Sequence, residues 1–185
     1  MVHQILNQTS TTYIMNKLVL KEKIEILSRV IINTRDDYFG EGVTEKQKGL
    51  LETLVGAGIW YLPSSIELYN GMISEAAFNA IQVDPYGTKL VEEHGYPRKV
   101  AGNRVYNEYF DQITYDGEGL MNLYIHNFGR FNLVLKEENN KLKPYQKVSS
   151  FTNEEVAYQQ AGINLMPFSQ KQYNDFKRLR RKRAL

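Results

Sequence analysis

The chain has no cysteine among its 185 residues. Whatever it folds into is held by packing and hydrogen bonding, because a disulfide framework, a Cys-ligated zinc and an iron–sulfur cluster are all excluded. A thiol nucleophile goes with them. An apolar share of 42% is enough for an ordinary core and argues against wholesale disorder. No apolar run approaches the roughly 18 residues that a membrane span requires, and no charged-then-apolar leader opens the sequence, so no membrane partner and a cytoplasmic protein are the expectation. The expected organisation is a single domain over 1–185, ending in a basic helix or tail at about 169–185.

Charge is distributed unevenly. The formal net charge is only +2, yet six of the seven residues 177–183 are cations: Lys177, Arg178, Arg180, Arg181, Lys182 and Arg183. Setting those six aside leaves 17 lysines and arginines against 21 acids, so the body is mildly acidic and the C-terminus is a separate electrostatic object. A cation run of that density fits a polyphosphate partner, since each neutralised phosphate releases counterions. Nucleic acid is therefore the expected partner, DNA ahead of RNA.

Periodicity points to helices. Leu20, Ile24, Leu27 and Ile31 mark one over 17–33, with the first dozen residues frayed or extended. Thr44 with Gln47, Thr152 with Glu155 and Ser169 with Gln172 are capping boxes that open three more. Residues 74–82 read as a short helix, and another starts at Pro97. Residues 34–42 read as a loop, and 84–87 and 138–141 as turns. Two extended runs, 120–126 and 130–136, flank Asn127-Phe128-Gly129 as a β-hairpin. Ile59, Trp60, Tyr61 and Leu62 form the densest apolar knot, with the only tryptophan, and are expected in the core. The fold class is α+β, mainly helical, with a small central β-hairpin or sheet.

Chemistry gathers in one stretch. Glu92, Glu93, His94, Arg98 and Lys99 put carboxylates, an imidazole and two cations beside a helix start, the groups that phosphodiester cleavage needs together. The element Glu93-His94-Gly95-Tyr96-Pro97-Arg98 resembles the acidic-His-x-x-Pro-Arg opening of the HNH (ββα-metal) nucleases, which include small type II restriction endonucleases. The resemblance implies His94 as general base, with catalytic Glu93 also a metal ligand. It further implies that Asn103 or Asn107 completes a site for Mg²⁺ or another divalent cation; Arg98 and Lys99, by their charge, are expected on phosphate. A PD-(D/E)xK nuclease lacks its lysine here, and Walker, dinucleotide and serine-hydrolase motifs are absent. The leading expectation is a metal-dependent DNA endonuclease, a homodimer if its target is palindromic. The alternative is a non-catalytic module, such as a phage or mobile-element protein that binds DNA, RNA or a host protein through the basic tail.

Overall fold

The computed structural model describes residues 2–183, with side chains over 18–181 apart from that of Ile66. Helix α1 spans Val2–Asn33 and so begins well before the expected residue 17; the opening residues are helical rather than frayed. No Gly or Pro interrupts this segment, and once a helix is nucleated each added residue costs little. Ile24 and Ile31 are buried, and Leu20 and Leu27 pack against the same core. The segment expected as a loop contains a one-turn helix, α2 (Arg35–Phe39), because Tyr38 is drawn into the core. There its ring stacks on Tyr106 at 4.1 Å. Helix α3 (Glu45–Trp60) opens at the capping box: Thr44 Oγ1 accepts from the Gln47 amide, and Gln47 Oε1 accepts from the Thr44 amide at 2.8 Å.

Strand β1 (Tyr69–Ser74) leads into helix α4 (Glu75–Val83), which Ser74 caps by accepting from the Ala77 amide. Strand β2 (Leu90–His94) is followed by helix α5 (Arg98–Asn107), with Pro97 in the cap position. Next come helix α6 (Glu118–Leu123) and a π-helical turn, Tyr124–Phe128. Then follow strand β3 (Phe131–Leu135), helices α7 (Lys136–Leu142) and α8 (Glu154–Gln160), strand β4 (Leu165–Pro167) and helix α9 (Gln170–Arg183). Asn153, one residue later than the expected Thr152, caps α8.

The expected hairpin is absent. Residues 120–126 are helical, since Leu120, Leu123, Tyr124 and Phe128 are buried at spacings that suit one helix face rather than a strand's alternation. The second run is a strand, β3, but its partners are distant in sequence: antiparallel β2 on one side and parallel β1 on the other. Strand order is β2-β3-β1-β4, with β4 antiparallel to β1. The chain is thus a mainly helical α+β fold around a small mixed sheet.

That sheet divides the apolar interior. Phe131 and Leu133 of β3 join the larger cluster, built with α1, α3 and α5, whereas Val134 joins a smaller one with Leu142, Ala157 and Tyr158. Residues 138–141 are not a solvated turn: they lie within α7, and Glu138 is buried. Its Oε2 accepts from Ser74 Oγ at 2.5 Å and from the Leu135 amide at 2.9 Å. The apolar knot is also split. Ile59 and Leu62 are buried, but Trp60 is 41% and Tyr61 78% exposed. The buried stripe of α3 runs through Glu52, Val55, Gly56 and Ile59, and the next residue is turned about 100° away from it. Among the described residues no helix is long and apolar enough to cross a membrane.

Helices α3 and α5 cross at backbone contact. A Cβ on Gly56 would stand 2.0 Å from the Arg98 carbonyl oxygen, and one on Gly102 would stand 1.9 Å from that of Glu52. Neither neighbour is a flexible side chain, so only glycine allows this approach. Gly102→Ala is expected to destabilise the protein by about 3 kcal/mol through overpacking, measured by urea denaturation. A loss within about 0.5 kcal/mol, the range of an ordinary surface substitution, would show that the helices do not meet this closely.

Candidate functional site

Strand β2 decides where the chemistry-bearing residues point. Side chains alternate along a strand, so Leu90, Glu92 and His94 share one face while Val91 and Glu93 share the other. The contacts agree. Leu90 packs against the larger core and Val91 against the smaller. His94 meets Trp60 and Phe131, with ring centroids 5.0 and 6.0 Å away. Glu92 Oε1 accepts from Tyr173 of α9 at 2.7 Å and pairs with Lys177 Nζ at 3.5 Å. Glu93 is buried on the opposite face, where Gln146 Nε2 donates to its Oε1 at 2.7 Å and the Tyr158 hydroxyl donates to its Oε2.

The residues expected to form one metal site are therefore not brought together. Asn103 Nδ2 donates to Glu52 Oε1 at 2.8 Å, and Asn107 Nδ2 to the Tyr38 hydroxyl at 2.7 Å. Tyr38 in turn donates to Glu52, so both amides belong to a polar lock between α5, α3 and α2. Among the described residues no three His, Asp or Glu side chains form a metal-binding group. With Glu93, Asn103 and Asn107 turned to three different partners, the donor set does not fit a shared cation.

His94 and Arg98 stay adjacent. Burial lowers the His94 pKa below its ordinary value; Glu92 and hydrogen bonds to the backbone of Gly129 and Arg130 act the other way, and Arg98 again lowers it. The Arg98 guanidinium lies over the Trp60 ring, 4.0 Å from its centroid. These groups border a pocket of about 210 Å³ that Glu92 and Glu93 also line, where β2 turns into α5. Lys99 is exposed and reaches over α3, with its Nζ beside Gly49.

At the other end of β2, helix α9 begins with the expected capping box, the Ser169 amide donating to Gln172 Oε1 at 2.7 Å. Buried Tyr173 and Phe176 dock it on the larger core. Lys177, Arg180 and Arg181 then line a pocket of about 330 Å³ against Leu90. Arg178 is exposed and pairs with Asp175 at 3.8 Å. Lys182 and Arg183 close the helix, and their side chains lie outside those described.

Sequence reasoning missed the surroundings of Glu93. Asn132 stands opposite it in the β2–β3 register, and Asn132 Nδ2 donates to Glu154 Oε1 and, at 3.3 Å, to Tyr158. The period-2 pattern of β2 could have separated Glu93 from His94, but nothing in the sequence links residue 93 to 132, 146, 154 or 158. No family model, no curated protein and no solved structure matches the chain.

Burial pushes the Glu93 carboxyl up to about 7; hydrogen bonds from Tyr158 and Gln146 pull it back, and the charge of Glu154 adds to the rise. A folded pKa above the unfolded value means that the folded state holds the extra proton between about 4.5 and 7. The stabilisation is thus complete below about pH 4.5 and falls as pH rises to about 7, by roughly 3 kcal/mol at most. Glu93→Gln should flatten most of that fall in denaturation curves taken across the window, Glu154 leaving a remainder because burial raises it too. An unchanged slope would place Glu93 in water.

Proposed function

We propose that this chain binds nucleic acid along the face bordering β2, with α9 at one end and Arg98 and Trp60 at the other. The observation that carries the reading is the placement of cations from two distant segments beside one short strand. Arg180 and Arg181 lie on a capped, docked helix next to Leu90, and Arg98 opens α5 four residues after His94, the strand's last. Five strand residues span about 15 Å, a distance that two or three phosphates of one backbone cover. Docking through Tyr173 and Phe176 fixes α9 in advance, so binding costs little ordering of the helix. Exposed Trp60 adds an aromatic surface, which nucleic-acid sites use for stacking. DNA is the partner put forward.

A second reading, hydrolysis of bound DNA by an HNH-like endonuclease, is favoured by one specific observation. Burial lowers the His94 pKa beside Arg98, which favours the neutral imidazole that accepts a proton from an attacking water. Plasmid incubated with Mg²⁺ and with EDTA tests it. The parent protein should cleave in at least one of the two, and His94→Ala should slow that cleavage by roughly 10²–10⁴. Full cleavage by a folded His94→Ala protein removes the imidazole from the chemistry, and no cleavage by the parent protein leaves the binding reading alone.

Trp60, the only tryptophan, provides the binding signal. Its emission should change on titration with duplex DNA, and affinity should fall steeply with salt. Arg180→Ala combined with Arg181→Ala should weaken binding and flatten the slope of log K against log salt by about 1.8, roughly 0.9 for each lost phosphate contact. An unaltered slope would take α9 out of the interface.

A further inference from the structure

Helices α1 and α3 each carry a second apolar stripe that the core does not use. The buried stripe of α1 is Leu20, Ile24, Leu27 and Ile31. Beside it Val19, Lys23, Ile26 and Val30 recur at the same spacing of four, three and four. On α3, Leu50, Leu54, Ala57 and Tyr61 repeat that spacing on the side away from buried Val55 and Ile59. Such a spacing is the seam along which one helix packs on another, and a helix that covers a single core needs only one.

The two outer stripes lie side by side. Leu27 packs on Gly58, where a Cβ would stand 2.7 Å from Leu27 Cδ1, and Lys23 Nζ donates to the Tyr61 carbonyl at 3.4 Å. Pairing Leu27 with Gly58 and Lys23 with Tyr61 runs the helices antiparallel, which brings Val30 towards the level of Leu54. A groove of about 210 Å³ follows the junction, with Ile26, Val30 and Tyr61 in its walls. The six large apolar side chains of the stripes are 39–78% exposed. They leave on the order of 600 Å² of surface, the top of the range for a patch on a monomer. With a charged rim, such a face approaches the roughly 800 Å² per partner that a stable dimer buries.

We propose that this face joins two copies of the chain, α1 packing antiparallel on α1 of the second copy about a two-fold axis near residue 25. The charges on α1 select that occupant. Glu22 and Arg29 flank the α1 stripe on the side away from α3; both are exposed, and neither has an ion-pair partner among the described residues. The midpoints of Val19 with Val30 and of Glu22 with Arg29 both fall within a residue of position 25. The axis therefore sets Val19 against Val30 and Glu22 against Arg29, and makes each contact twice, as an isologous interface requires. Lys23 lays its stem along the stripe and keeps its ammonium on the Tyr61 carbonyl. A parallel arrangement would set Glu22 level with Glu22 and Arg29 level with Arg29, like charge beside like. A lipid surface would call for a rim of lysines and arginines, whereas Lys21, Glu22, Lys23, Glu25 and Arg29 mix both signs. The pairing does not rest on the nucleic-acid reading, which uses Trp60, Arg98 and α9.

Sedimentation equilibrium of the full chain without DNA, at up to about 100 μM, tests the proposal. The mass should be twice that of the 21.5 kDa chain. Ile26→Glu should return it to the monomer with its far-ultraviolet circular dichroism unchanged, because Ile26 lies outside the core. Glu22→Arg should weaken dimerisation by about tenfold, since two attractive contacts become repulsive, and adding Arg29→Glu should restore it. A parent chain that stays monomeric overturns the proposal; if it then co-sediments with phosphatidylserine vesicles, the face belongs to lipid. A dimer that survives Ile26→Glu places the interface elsewhere. A double charge reversal no tighter than the single one overturns the antiparallel pairing.

Discussion

The pairing of β2 with β3 is the constraint on which the rest of this molecule depends. It aligns Glu93 with Asn132 and His94 with Phe131, and so assigns two consecutive residues to opposite sides of the sheet. On one side lies an imidazole whose pKa burial lowers, close to Arg98 and Trp60. On the other lies a carboxyl whose burial raises its pKa, linked through Tyr158 and Asn132 to a second carboxyl, that of Glu154. A one-residue slip of register would exchange the two faces and bury the wrong groups, which is why both apolar clusters matter to the placement.

The glycine contacts between α3 and α5 serve the same end. Gly56 meets the Arg98 carbonyl and Gly102 meets that of Glu52, so the start of α5 is pinned where β2 ends. The Tyr38–Glu52–Asn103–Asn107 network locks the same pair of helices by polar contacts. Asn103 and Asn107 therefore hold Arg98 in position rather than meeting Glu93.

Local signals were legible in the sequence where a cap or a helical period set them, although the cap of α8 falls on Asn153, one residue beyond Thr152. The Thr44 and Ser169 boxes and the buried stripe of Ile24 and Ile31 are all present. What could not be read was set by contacts between distant segments. The run 120–126 has β-compatible residues, but Leu120, Leu123 and Tyr124 find their partners in the core as one helix face. Trp60 looked like core because its neighbours are apolar, whereas the turn of α3 places Ile59 inward and Trp60 at the surface. The Glu93-His94 pair suggested one site because adjacency in sequence looks like adjacency in space, and in a strand it is the reverse.

Hydrogen–deuterium exchange with and without duplex DNA measures most directly whether β2 separates a nucleic-acid face from the side that holds Glu93. Protection should concentrate on α9 and on the start of α5 next to Trp60, with α8 and the π-helical turn exchanging as in the free protein. Protection centred on α8 and the π-helical turn, with α9 unaffected, would contradict this division of the molecule.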